Sequence, residues 1–198
     1  MQNIFLDCGF HLGEGISEFL DLGIIDESYH IYSFEPNPAC MIKERTKNHP
    51  NITAIEKAVW TEDGHAFFKQ ENHLISRSNS PSDGVSSVDG WASSIVMDNM
   101  QNQFLERCGY IEPVRVETIN FSEFVKSLPE DSNIICKMDI EGSEYAVLEH
   151  LLQTDQMRKI KKIFVEFHPH YFPPHYTVLK NDLISKIEEL GIEYKDWH

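Results

Sequence analysis

The stretch FLDCGFHLGEG, residues 5–15, decides the fold. Phe5, Leu6 and Asp7 end a short apolar run, residues 3–7, that reads as a strand, and Gly9, Gly13 and Gly15 follow within seven positions. Ile16, Phe19, Leu20 and Ile24 then recur at helical spacing, with Gly23 as a stop. Strand, glycine turn and helix in that order open a βαβ unit, and such units build parallel sheets. Glycine at the turn permits positive φ and lets a ligand approach the backbone. The spacing is G-x-x-x-G-x-G, not the G-x-G-x-x-G of a dinucleotide site, and Asp7 stands in front of it. A carboxylate there repels a pyrophosphate and suits an ammonium or sulfonium group. A tight strand-to-helix turn with no ligand is the plainer reading.

Outward from this stretch, strand-like and helix-like segments alternate. His30–Glu35 reads as the second strand and residues 36–50 as a helix with proline near its start. Residues 51–60 hold the third strand and a short continuation. Val114–Ile119 alternates like an edge strand, and residues 120–128 form a short helix. Ile134–Met138 is a buried strand, followed by an acidic turn and a helix from about Ser143. A strand runs to Phe167, and a histidine- and proline-rich loop follows it. The last helix carries Val178, Leu179, Leu183, Ile184, Ile187 and Leu190 on one face, and residues 192–198 start one more strand. The pattern predicts one domain over 1–198: an α/β, mostly parallel, doubly wound sheet with helices on both faces. Residues 70–96 are rich in serine, asparagine, aspartate and glycine and read as a polar loop insertion, a candidate lid.

Composition narrows the partners. With 17 basic and 32 acidic residues the formal charge is −15, which argues against nucleic acid and anionic membrane surfaces. No apolar run reaches the roughly 18 residues of a membrane span. Cys8, Cys40, Cys108 and Cys136 form no C-x-x-C pair. They predict neither a zinc site nor a disulfide framework, and fit a reducing, cytoplasmic setting.

Two acidic turns carry the chemistry. Glu35 closes the second strand in SFEPNP, where a carboxylate accepts hydrogen bonds from ribose hydroxyls, while Pro36 and Pro38 hold the chain extended. In CKMDIEGSE the strand delivers Lys137, Asp139, Glu141 and Glu144 to the end of the sheet that holds Gly9. Carboxylates so close need a cation, a metal, hydrogen bonds or a shared proton. Helix capping is the plain alternative for Glu144. Glu166, His168, His170 and His175 follow the next strand. A metal-dependent hydrolase on Asp139, Glu141, His168 and His170 is one reading, although the spacing specifies no metal. His168 also suits a substrate-facing group or proton acceptor.

Taken together, DCGFHLGEG, SFEPNP, KAVW, WASSIV, VETINFSEFV, KMDIEGSEYAVL and FVEFHP resemble, in order and over nearly the whole chain, the motifs of the FkbM-type S-adenosylmethionine-dependent methyltransferases. The resemblance implies a Rossmann-like class I methyltransferase fold in three layers. It also implies methyl transfer to a hydroxyl of a small acceptor such as a sugar or polyketide. It places Asp7, Gly9, His11 and Gly13 in the first cofactor motif, Glu35 and Pro36 at the ribose, Ala58 and Val59 near the adenine, and Ser94 close to the cofactor. Asp139 falls beside the transferable methyl as base or orienting group, with His168 second in that role. Glu141, Glu144 and His168 fall on the acceptor side. Phe10 and His11 depart from the family's usual Ala-Asn pair. The chain starts at the first strand and stops about where a closing antiparallel hairpin is expected, so a shortened sheet or a second copy covering its edge is anticipated. A nicotinamide-dependent dehydrogenase and a non-catalytic cofactor-binding protein are the rival readings.

Overall fold

A computed structural model describes residues 1–68, 114–168 and 175–197. The strands are β1 Asn3–Cys8, β2 Tyr29–Phe34, β3 Ile52–Ile55, β4 Ala58–Trp60, β5 Gly64–Phe68, β6 Val114–Asn120, β7 Asn133–Met138, β8 Ile160–Val165 and β9 Glu193–Asp196. The helices are α1 Glu14–Asp21, α2 Ile42–Thr46, α3 Phe121–Ser127, α4 Glu144–Gln153 and α5 His175–Glu189.

Six strands form the central sheet in the order β3-β2-β1-β7-β8-β9, every pair parallel. β1 and β7 lie at its centre and are buried on both faces, which is why they read as continuous apolar runs. Alternate side chains feed two cores. Phe5, Ile135 and Phe164 point to one face, where they meet Ile16 and Phe19 of α1 together with Trp197. The Phe19 ring lies 4.9 Å from Phe5, 4.7 Å from Phe164 and 4.7 Å from Trp197, so one residue anchors a two-turn helix. Ile4, Leu6, Ile134, Cys136 and Ile163 point to the other face, against Phe121 and Val125 of α3, Leu148 and Leu151 of α4, and Leu183 and Ile187 of α5. The result is the expected three-layer, Rossmann-like arrangement.

Several expectations change in detail. Leu20 is exposed, because α1 ends at Asp21 with only Ile16 and Phe19 buried. The helix expected over 36–50 is broken. Asn37 Oδ1 accepts the Ala39 amide and opens a 3-10 turn, Pro38–Cys40, and Met41 then adopts φ 50° before α2. In residues 51–60 the third strand is β3, and the short continuation is a separate strand, β4. β4 leaves the main sheet to pair with β6, and β5, which the sequence did not suggest, pairs antiparallel on the other side. β6 is therefore the middle strand of a three-stranded sheet, not an edge. On α5, Val178 is 71% exposed while Leu179 is partly buried and Leu183 and Ile187 are buried, so the apolar face starts at Leu179. β9 pairs parallel with β8, and the central sheet has no antiparallel strand among the described residues. Cys8, Cys40 and Cys136 are buried. No helix among the described residues is long and apolar enough to cross a membrane. The 70–96 segment, Cys108 and His170 lie outside the described residues, as does the His175 side chain.

Candidate active site

The chain winds outward from β1 through β2 to β3 on one side, then from β7 through β8 to β9 on the other. Ligands of open parallel sheets bind at such a reversal, outside the carboxyl ends of the two central strands. Those ends are Cys8–Gly9 and Met138–Asp139, paired in register with Asp7 opposite Lys137. Gly9 has φ 87°, and a Cβ placed there would lie 1.9 Å from the Asp139 carbonyl oxygen, so only glycine fits. The Asp139 amide donates to Cys8 O at 3.0 Å.

The loop after Gly9 is tied down on its other side. The Gly9 and Phe10 amides both donate to Phe34 O, at 3.1 and 3.0 Å. The Phe10 ring is buried with Ile16 and Phe19, and it sits so close beneath Gly13 that a Cβ at 13 would meet its Cζ at 3.0 Å. Phe10 is thus the loop's core anchor. His11 takes φ 49°, donates its amide to Glu35 Oε2 at 2.8 Å, and brings Nδ1 to 3.3 Å from Glu14 Oε2.

Glu35, buried just past β2, accepts the Asn37 amide on Oε1 at 2.8 Å as well. Burial pushes its carboxyl up to about 7, against the pull of the two amides and Lys137. Asp7 is also buried. Ser33 Oγ donates to its Oδ2 at 3.2 Å, while Oδ1 lies 3.8 Å from Lys137 Nζ and has no hydrogen-bond partner among the described residues. Burial pushes Asp7 up to about 6, with Lys137 and Ser33 opposing. Burial alone would lower the Lys137 ammonium, but Asp139 and Asp7 outweigh it and raise it.

The second turn forms an adjoining cluster. Glu141 and Gly142 both have positive φ, 54° and 99°, which swings the chain sharply into α4. Glu144, 0% exposed at the first position of α4, accepts the amides of Ile140 (Oε1, 2.8 Å) and Gly142 (Oε2, 2.7 Å) and holds His168 Nδ1 at 3.1 Å. Glu144 therefore caps the turn, as the plain alternative for it anticipated, and is closed off from solvent. His168 Nε2 lies 3.4 Å from Glu141 Oε2, 3.7 Å from Glu166 Oε1 and 3.8 Å from Asp139 Oδ1. Burial by itself would lower the His168 pKa. The Glu144 hydrogen bond and the charges of Glu144, Glu141 and Asp139 instead push it up to about 10. Burial raises Glu141 well above the carboxylate range, with His168 opposing.

Asp7, Gly9, His11, Gly13, Glu35 and Asp139 therefore converge around the switch point, and Glu141, Glu144 and His168 form the neighbouring cluster. Pro36 follows Glu35 and is half-buried. Ala58 and Val59 are buried in β4, Val59 in the larger core and Ala58 against Val116, so only their backbone is left to face a ligand. Ser94 falls outside the described residues. Ser33 was not among the expected site residues, and Lys137 was expected at this end of the sheet but with no role assigned. The signal for Lys137 was a lysine inside an apolar strand. Asp139, Glu141 and His168 each offer an atom within 4.8 Å of one another, which is metal-ligand spacing. Nothing in the comparisons with known proteins supports a hydrolase built on them.

No curated protein and no solved structure matches the chain. The family model for the methyltransferase FkbM domain matches residues 7–194, from the acid before the glycine loop to the last strand, and by that match the chain belongs to the FkbM methyltransferase family.

Proposed function

We propose that the protein transfers a methyl group from S-adenosylmethionine to a hydroxyl oxygen of a small molecule such as a sugar or polyketide. The observation that carries this reading is the set of three carboxylates, Asp7, Glu35 and Asp139, gathered around one glycine loop at the switch point. That donor set fits a cationic, ribose-bearing ligand. Asp7 Oδ1 is a buried acceptor without a hydrogen bond, and each Glu35 oxygen keeps a lone pair after receiving its backbone amide. A pyrophosphate would meet carboxylates where it needs cations, which disfavours nicotinamide chemistry.

The cofactor supplies an electrophilic methyl on a sulfonium sulfur. The chain holds the donor through the loop from Gly9 to Gly13 and through Glu35, and excludes water so that the acceptor oxygen meets the methyl in line. With the donor bound, Asp139 would accept the proton of the acceptor hydroxyl as its oxygen takes the methyl group and the sulfonium leaves as the neutral thioether. Base catalysis of this kind contributes about 10²–10⁴-fold. His168 already carries its proton at neutral pH, so it orients Asp139 and the acceptor as a cation instead of accepting a proton.

Calorimetry with S-adenosylmethionine and with NAD, followed by assay of S-adenosylhomocysteine release against a panel of sugars and polyketide alcohols, tests the reading. Binding of the sulfonium cofactor alone, and turnover lost at least 100-fold in Asp139→Asn with affinity kept, is the expected result. Tight NAD binding, or turnover in Asp139→Asn near that of the parent, overturns it.

A further inference from the structure

We propose that Lys137 is a positioning residue whose ammonium locks the glycine loop after β1 and the Asp139 carboxylate into one geometry, so that the donor-binding loop and the proton acceptor are set together. The inference rests on the methyl-transfer reading above for its functional consequence, and on the geometry alone for its structural one.

Lys137 lies near the end of β7 and is 3% exposed. An ammonium has three protons and needs three acceptors. Nζ donates to Gly9 O at 2.6 Å and to Asp139 Oδ2 at 3.3 Å, and faces Asp7 Oδ1 at 3.8 Å. One belongs to β1, one to the loop and one to the β7 exit, so a single cation joins all three segments that meet at the switch point. Asp7 and Lys137 share the face that carries Phe5 and Ile135, directly under the first turn of α1. A Cβ at Gly15 would lie 3.5 Å from Lys137 Cε and 3.8 Å from Asp7 Oδ1. The positive end of a helix is a poor neighbour for a cation, and the two aspartates and the carbonyl offset it.

Stability does not explain the residue. An apolar side chain would continue the run of β7 without a break, and a buried ion pair replaced by a packed apolar pair usually costs nothing. What an apolar side chain cannot do is hold the Gly9 carbonyl and the Asp139 carboxylate to a common point. The Gly9 bond fixes the direction of a carbonyl whose residue already has a left-handed backbone. The Asp139 bond leaves Oδ1 turned toward His168.

Lys137→Met keeps the length of the stem and removes the charge. Hydrogen exchange on the ligand-free protein should show the amides of residues 9–13 exchanging at least tenfold faster, with β8 and α4 unchanged. Calorimetry with S-adenosylhomocysteine should show at least tenfold weaker binding. A carbon-13 carboxyl titration should move the Asp7 midpoint upward from about 6, a change that loss of packing alone would not produce. The groups facing Asp7 in that titration are Ser33 and Glu35 from β2 and its exit, Glu14 from α1, Lys137 and Asp139 from β7 and its exit, and Cys8 beside it. Loop exchange and an Asp7 midpoint both equal to those of the parent overturn the proposal. If the parent protein binds no S-adenosylhomocysteine, the methyl-transfer reading fails, while exchange and titration still decide the role of Lys137. Should Lys137→Met fail to fold, the same substitution is made on an Asp7→Asn background, which removes the stranded charge, and compared with Asp7→Asn alone. Tenfold faster loop exchange supports the proposal there, and equal exchange overturns it.

Discussion

Phe10 shows what a single position can and cannot say in advance. Beside its relatives' motif it reads as a departure, and only the packing reveals it as the ring on which Gly13 rests. Chain position told that a residue follows Gly9; it could not tell that the loop folds back so the side chain points into the α1 core. Phe10→Ala should cost about 3–5 kcal/mol, as for other buried phenylalanines, and urea unfolding measures it. Phe10→Leu should cost clearly less, because it refills most of the volume. Asp7, Gly9 and Glu35 were legible, since their chemistry depends on standing at strand ends, and strand ends can be read from apolar runs. Glu144 was half legible. Its place in the first helical turn predicted a cap, but its grip on His168 joins residues 24 apart in sequence that no local pattern connects.

At the scale of elements, the apolar runs of β1 and β7 were plain because strands buried on both faces leave few polar positions to blur them, while β2 and β8 keep an apolar second half behind more exposed first residues. The segment after Glu35 was not. Its residues can all enter a helix, and what breaks it is a local competition: Asn37 captures the Ala39 amide, and Arg45 Nε takes the Cys40 carbonyl at 2.8 Å. Met41 then sits exposed at φ 50°, a conformation that costs a non-glycine residue roughly 1–2 kcal/mol. Met41→Gly removes that strain and loses part of it back to chain entropy, so a net gain of about 0.5–1 kcal/mol is expected in a thermal melt. Gly9→Ala goes the other way. Its Cβ would overlap the Asp139 carbonyl and must push β1 and β7 apart at their ends. Cofactor affinity should fall at least tenfold even where the protein still folds, which calorimetry at low temperature reads. β4 was legible only as a short continuation of β3 and β5 not at all, because strands of three and five residues carry too few alternations to stand out.

For the whole molecule the buried charges act in one direction. Asp7, Glu35 and His168 all bind their protons more tightly folded than unfolded, moving from 3.8 to about 6, 4.5 to about 7 and 6.5 to about 10. A group raised in this way stabilises the fold fully below its unfolded pKa, and that contribution is lost as pH rises through its folded pKa. The windows run from about 4 to 7 for the two carboxyls and from 6.5 to about 10 for His168. Surface carboxyls such as Asp26 and Glu193, held low by hydrogen bonds from Ser28 and Lys162, lose their contribution only as pH falls below about 4. Stability should therefore peak near pH 4. Each tenfold difference in proton affinity between the folded and unfolded chain is worth about 1.4 kcal/mol. Stability should then drop by roughly 2–4 kcal/mol between pH 5.5 and 8.5, or about 4–16 °C in Tm by scanning calorimetry. His168→Gln should flatten the slope above pH 7, and an unchanged slope there would show that His168 is not the buried imidazolium. Cofactor binding has the opposite sign. A sulfonium cation near Asp7, with ribose hydroxyls donating to Glu35, would favour the ionised forms of both, so S-adenosylmethionine should bind with release of a proton below pH 7 and gain affinity from pH 5.5 to 7.5. Donor affinity should thus be highest where the fold is no longer at its most stable. Calorimetric titration in two buffers of different ionisation enthalpy counts the released proton, and proton uptake on binding would contradict the proposed seat of the donor beside those carboxylates.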